Sequence, residues 1–297
     1  MGHDHDHARV ESRRALAIAL ALTASYTAVE VVGGLYSGSL ALLADAVHML
    51  SDNIALGLAL VAVWLAAKPA TPERTYGYKR AEVLAALANG VLLVALSIWI
   101  FAEAATRLRN PGEVLGGWML VIALVGMGVN VAAGLVLSRA RSHSLNVEAA
   151  FRHVFADLLG SVGVAAAAVV ILATGWVEAD PLVSILIGLL VLASTWTILR
   201  DSTAILLEST PRGIDAAALG RRLASAPGVV EVHDLHVWTI TSGFPALSAH
   251  VLVRHGEDCH GRRRELERLL ETEFGIDHTT LQVDHAGDTG LVEIGRF

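Results

Sequence analysis

Apolar residues gather into six long stretches, near 15–36, 40–67, 80–107, 115–138, 147–174 and 182–207. Each is about 20 residues or more, the length a helix needs to cross the hydrocarbon core of a bilayer. Short polar breaks separate them. Ser37-Gly-Ser39 is an uncharged turn, and Lys68-Pro69-Ala-Thr-Pro72, Asn110-Pro111-Gly112 and Gly175-Trp-Val-Glu-Ala-Asp-Pro181 are loops punctuated by Pro and Gly. Pro181 is expected near a helix start. Beyond residue 212 the pattern changes. Ile214 to Ala226 reads as an amphipathic helix, with Asp215 near its start and Pro227-Gly228 closing it. Val229 to Thr241, Ala246 to Arg254 and Thr279 to His285 alternate as strands do, with a turn at 242–245. Leu266, Leu269 and Leu270 recur at helical spacing within Cys259 to Phe274. The order αββαβ predicts a small sheet with helices on one face.

Composition sharpens this division. Only 17% of the 297 residues are charged, against about 25% in an ordinary soluble domain, and the shortage is confined to the first two thirds. The expected organisation is a tail at 1–14, a six-helix membrane domain at 15–208 and a soluble domain at 209–297. Net charge of −7 without a basic cluster argues against a nucleic-acid partner. The single Cys259 excludes an intrachain disulfide framework. The His/Asp-rich start is expected to be a disordered tail or a weak metal-gathering one, not a cleaved secretory signal.

Lys and Arg then orient the spans, because they concentrate on the cytoplasmic side. Arg9, Arg13 and Arg14, then Lys68, Arg74, Lys79 and Arg80, then Arg139 and Arg141 fall on one side; the first-to-second and fifth-to-sixth turns have neither residue type. Both termini are therefore expected in the cytosol. Arg107 and Arg109 dissent, and are expected to snorkel or to pair with Glu103 or Glu113.

The candidate chemistry lies inside the spans. His48 and Asp52 stand four residues apart on the second, and His153 and Asp157 repeat the spacing on the fifth. Residues i and i+4 share a helix face, and ionisable groups at membrane depth are costly enough to be functional candidates. Together the pairs supply the four N/O ligands of a tetrahedral zinc ion, at an expected mid-span depth. Cobalt, nickel, cadmium and iron suit the same donors. Asp45, three residues before His48, is read as lining the cavity or supporting His48, and Asn130 is another polar residue within the spans. In the soluble part, alternation puts Val232, Asp234 and His236 on one strand face and His233 and Leu235 on the other. On that reading His233 and His236 share no ion, whereas His233, His250 and Asp284 can meet across strands. Cys259-His260 adds a weak signal.

These residues resemble the cation diffusion facilitator family of zinc transporters. The resemblance rests on Leu43-Ala-Asp-Ala-Val-His48-Met-Leu-Ser-Asp52, Tyr76-Gly-Tyr-Lys-Arg-Ala-Glu82, Asn130, His153-Val-Phe-Ala-Asp157 and Val232-His-Asp-Leu-His-Val-Trp238, and spans about residues 15 to 285. It implies six transmembrane helices followed by a cytosolic ferredoxin-like, metallochaperone-like domain. It also implies a homodimer in a bacterial inner membrane that exports cytosolic zinc in exchange for protons by alternating access, with cadmium or cobalt as further cargo. By resemblance the transport site falls on His48, Asp52, His153 and Asp157, and a second, cytosolic zinc site on His233, His250 and Asp284, with His260, His278 and His285 as further candidates. The family's long His-rich loop between the fourth and fifth spans is reduced here to residues around His143.

Two other readings use the same residues. An intramembrane zinc hydrolase predicts three protein ligands, an open water position and a general base; the set here is four, and no His-Glu-x-x-His occurs. A membrane-embedded zinc sensor or scaffold would bind without transporting.

Overall fold

The computed structural model describes residues 3–66, 68–140, 145–241 and 243–287; His143 and the last ten residues lie outside it, as do the side chains of residues 3–16. Six long helices come first: α1 (His3–Ser37), α2 (Leu40–Ala66), α3 (Ala81–Arg109), α4 (Gly116–Ala140), α5 (Leu145–Thr174) and α6 (Ala179–Leu206). Then follow α7 (Ala216–Ala224), β1 (Val229–Thr241), β2 (Phe244–Val253), α8 (Cys259–Phe274) and β3 (His278–His285). Helix α1 already runs from His3, so the stretch expected as a tail has a helical backbone.

Among the described residues, five helical segments are long and apolar enough to cross a membrane: Ala17–Ser37, Ala81–Arg109, Gly116–Ser138, Ala150–Thr174 and Ala179–Leu206. A helix suits that task because it satisfies its own backbone N–H and C=O groups where water cannot. The chain forms a multi-pass membrane protein with a small C-terminal α/β domain. It divides into two compact units, Met1–Leu58 with Ala88–Ile198 and Ala59–Leu87 with Leu199–Phe297, so α2, α3 and α6 each contribute to both.

The first unit is apolar outside and polar within. Val32, Leu35, Trp99, Leu159, Leu190 and Trp196 are exposed, as lipid contact requires, while Glu30, Asp45, Asn89, Asn130, Asp157 and Asp180 are buried. Leu40, Leu42, Met119, Ile122, Val164 and Ala168 fill the space between helices.

Asp180, in the first turn of α6, caps a different helix. It accepts hydrogen bonds from Ser39 Oγ (2.6 Å), Leu40 N (2.8 Å) and Ala41 N (3.1 Å), supplying the acceptors that the first N–H groups of α2 lack. Arg107 closes the arrangement. Its Nε donates to Glu103 Oε1 at 2.8 Å, its guanidinium approaches Asp180 at 3.8 Å, and it donates to the Gly38 carbonyl. The dissenting arginine is thus held by the partner expected for it, Glu103, and by Asp180, which was not expected.

In the second unit the strand order is β1-β2-β3, with β1/β2 antiparallel and β2/β3 parallel. Leu247, Ala249, Val251 and Val253 of β2 share one core with Leu219 and Leu223 of α7 and Leu266 and Leu270 of α8, so both helices cover the same sheet face. Asp215 caps α7 through the N–H groups of Ala217 and Ala218, and Asp258 caps α8 through that of His260. The N–H groups of Gly261 and His260 hold the Asp258 carboxyl below the usual carboxylate range. Glu273, bonded through both oxygens, pushes the Arg222 guanidinium above its ordinary value.

Candidate metal centre

Helices α2 and α5 bring the two His-x-x-x-Asp pairs together. His153 Nε2 lies 3.1 Å from Asp52 Oδ2 and 3.7 Å from Asp157 Oδ2; His48 Nε2 lies 3.8 Å from Asp157 Oδ1 and its Nδ1 3.8 Å from Asp52 Oδ2. The two rings meet edge to face, centroids 5.9 Å apart. Adjacent ligand atoms of a tetrahedral ion with bonds of about 2.0 Å stand roughly 3.3 Å apart, so these separations are of that order. Asp157 is only 3% exposed while His153 is 46% exposed, so the cluster has a closed floor and an open side. Three of its buried polar atoms, His48 Nδ1, Asp52 Oδ2 and Asp157 Oδ1, make no hydrogen bond. Such atoms are expensive to bury unless something binds them.

The cluster is not closed around one point. Among the described residues, no three His, Cys, Asp or Glu side chains stand in metal-holding geometry. His48 turns a different nitrogen to each carboxylate, whereas one ion takes one nitrogen per ring.

Asn130 lies on the α4–α5 seam, where its Nδ2 donates to Ser161 Oγ at 3.3 Å, one helical turn beyond Asp157. Ser51, beside Asp52, pairs with Asn89 of α3. Asp45 is buried, with Gly160 of α5 so near that a Cβ there would come within 3.0 Å of its Oδ1. On α1, the Tyr26 hydroxyl donates to Glu30 at the same i,i+4 spacing; sequence reasoning missed the tyrosine.

The soluble cluster corrects the strand-face assignment. His233 pairs with His250 and His236 with Ser248, so three steps along β1 match two along β2. The extra residue is a β-bulge, with Asp234 at φ 52, a conformation Asp tolerates better than most residues. The bulge puts His233 and His236 on one face and turns Val232, Leu235 and Val237 to the core. The signal was present in the apolar spacing, three residues and then two.

On the open face the His233 and His250 rings lie 5.2 Å apart. The Asp234 carboxylate reaches His236 Nε2 at 3.0 Å and His250 Nε2 at 3.9 Å, so it joins a cluster from which alternation had excluded it. Asp284 shares that sheet face, but it pairs in register with Leu252 and accepts from Gln282 at 2.8 Å. The further candidates lie elsewhere. His260 is in the first turn of α8, His278 packs between Tyr76 and Phe244, and His285 sits against Cys259 Sγ (3.5 Å), the Glu257 carbonyl and the His255 ring.

Residues 16–207 match the cation efflux transmembrane domain, and residues 211–286 match the cation efflux protein cytoplasmic domain. The chain belongs to the cation diffusion facilitator family. It is accordingly a transporter of divalent metal cations and not an enzyme. It is 43% identical over 286 residues to the metal cation efflux system protein CzcD of Cupriavidus metallidurans, covering 96% of this chain and 90% of that one. It is 42% identical over 292 residues to the zinc transporter ZitB of Escherichia coli (96% and 93%). The cadmium, cobalt and zinc/H(+)-K(+) antiporter of Bacillus subtilis is 40% identical over 289 residues (96% and 92%).

Proposed function

We propose that this transporter exports zinc from the cytosol across a bacterial inner membrane in exchange for protons. His48, Asp52, His153 and Asp157 are the ligands, and cadmium and cobalt are secondary cargo. The observation that carries the proposal is the convergence of two imidazoles and two carboxylates from α2 and α5, with buried, unbonded oxygens on both aspartates. The relatives' names, which specify zinc, cadmium, cobalt and proton exchange, support the choice of ions.

Exchange follows from the donors. Imidazole binds metal when neutral and carboxylate when ionised, so loading displaces protons and protonation releases cargo. Imidazole titrates near neutrality, which lets the same groups carry either passenger. Alternating access completes the cycle: the site loads from the cytosol, the helices rock, and protons arriving from outside expel the ion. In this reading α2 is the sixth span, both termini are cytosolic, as the basic loops suggest, and the protein works as a homodimer through its soluble domain.

The soluble domain then acts as a sensor. His233, His236 and His250, with Asp234 or Asp284, supply donors of the type zinc takes, and bound zinc would crosslink β1 to β2 on the open sheet face. Zinc stimulation of transport is expected to disappear in a His233→Ala, His250→Ala, Asp284→Ala triple variant; equal stimulation ends the sensor reading.

Transport into reconstituted vesicles, measured across Zn, Cd, Co, Ni, Mn and Fe, tests the whole proposal. Uptake that follows an imposed proton gradient, with zinc preferred, is the expected result. Binding without uptake indicates a membrane-embedded sensor or scaffold instead.

A further inference from the structure

The loop between α2 and α3 carries four cations, Lys68, Arg74, Lys79 and Arg80, against one carboxylate, Glu73. Two of the cations have fixed partners. Arg80 pairs with Glu208 at 2.7 Å, and the Lys79 ammonium lies 3.9 Å over the Phe244 ring. The other two share an aromatic floor. Lys68 Nζ stands 4.0 Å over the Trp64 ring and 5.9 Å from the centre of the Tyr78 ring. The Arg74 guanidinium lies 4.5 Å over that same Tyr78 ring and donates to its hydroxyl. Among the described residues, none of the ion pairs includes Lys68 or Arg74.

The backbone brings these groups together. Thr71 and Arg74 exchange two hydrogen bonds, at 3.1 and 3.0 Å, and the Arg74 carbonyl also accepts from Gly77 N at 2.8 Å. Gly77 takes φ 65, and a Cβ there would lie 3.5 Å from the Lys68 carbonyl oxygen. The chain thus doubles back and returns Tyr78 to Lys68.

The setting points to a ligand. Ala81 opens a helix long and apolar enough to cross a membrane, so the loop before it stands where that helix leaves the hydrocarbon. Trp64 and Tyr76 are both exposed, and amphipathic aromatics belong at the headgroup level of a bilayer. A cation on an aromatic face is held by the ring quadrupole and keeps N–H groups for another acceptor, since an ammonium has three and a guanidinium five. A phosphodiester suits them: Arg can hold two of its oxygens at once, and Lys supplies a point charge. Two cations without an acid favour a headgroup of net negative charge. A zwitterionic headgroup brings its own cation and gains less from them.

We propose that Lys68 and Arg74, seated on Trp64 and Tyr78, bind the phosphodiester of an anionic phospholipid in the leaflet at the α2–α3 loop. Val61, exposed one turn before Trp64 on α2, gives the acyl chains an apolar flank.

The test titrates the full chain in neutral detergent with phosphatidylglycerol or phosphatidylcholine and counts bound lipids by native mass spectrometry. Wild type is expected to prefer phosphatidylglycerol. Lys68→Gln and Arg74→Gln should each lower that affinity about fivefold, and together about 30-fold, as expected for juxtamembrane cations facing an anionic lipid. Phosphatidylcholine binding should not change, and Lys68→Arg should bind as wild type does. Lys79→Gln, which removes a cation from the same loop but not from the site, should also keep its affinity. The proposal is overturned if the double variant binds phosphatidylglycerol like wild type. It is equally overturned if Lys79→Gln loses as much as the double variant, because the loop's charge as a whole then attracts the lipid. Inorganic phosphate in excess should leave the lipid bound. Displacement by phosphate would assign the site to a soluble anion and overturn the lipid reading.

Discussion

Asp157 is the least adaptable member of the metal cluster. It is buried, faces both imidazoles, and leaves one oxygen unbonded. Asp157→Ala is expected to weaken zinc binding by at least about 100-fold, beyond the roughly 10–100-fold typical of losing a supporting partner of a ligand. Isothermal titration measures this, and a loss under tenfold would remove Asp157 from the ligand set. Outside the membrane, Asp258 makes a pH prediction. Its folded-state carboxyl is depressed by the N–H groups at the start of α8. The cap therefore stabilises the soluble domain fully above the ordinary carboxylate value of about 4, and loses that effect as pH falls through the depressed value. Asp258→Ala should lower the thermal midpoint at pH 7, and the gap to wild type should close in strong acid. A gap that persists there contradicts the capping role. At this scale the sequence was informative about which residues carry chemistry, because His and Asp are conspicuous among Leu and Val. It was less informative about what they touch. Asp234 was assigned by regular alternation, and only the bulge brings it to His236 and His250.

The helices were readable from apolar length alone, and α8 from its leucines. The ties between elements were not, because they join residues far apart in the chain. Asp180 and Leu40 are separated by 140 positions, and nothing local to either marks the pair. That tie makes the next prediction. Asp180 is fully buried, bonded to three donors of the 39–41 turn and close to Arg107. Asp180→Ala leaves the start of α2 uncapped and removes one of the acceptors around the partly exposed Arg107 guanidinium. Losing a side-chain cap costs about 0.5–2 kcal/mol, so the variant should lose thermal stability in detergent. A midpoint within a degree or two of wild type would show that the cap is not needed. Gly126 offers a steric counterpart: Gly126→Leu puts a side chain where the Tyr26 hydroxyl stands. It should reduce transport more than Tyr26→Phe, which removes only an oxygen. The reverse order would mean that the hydroxyl matters more than the helix contact.

At the scale of the whole molecule, the two His-x-x-x-Asp pairs mattered because two helices carry the same spacing. One pair at membrane depth has many structural explanations, but two that meet across a helix interface have few. The sequence predicts that the pairs meet, and α2 and α5 bring His153 Nε2 to 3.1 Å from Asp52 Oδ2. What the sequence lacked was the orientation of the His48 ring, which turns a different nitrogen to each aspartate. The central claim is that this one cluster carries metal in one direction and protons in the other. Its most direct test is simultaneous zinc and proton flux in reconstituted vesicles, with wild type beside an Asp52→Ala, Asp157→Ala double variant. The account predicts opposed zinc and proton movements in wild type, zinc uptake that collapses when the proton gradient is dissipated, and neither flux in the double variant. Zinc uptake that ignores the gradient, or that persists in the double variant, would contradict it.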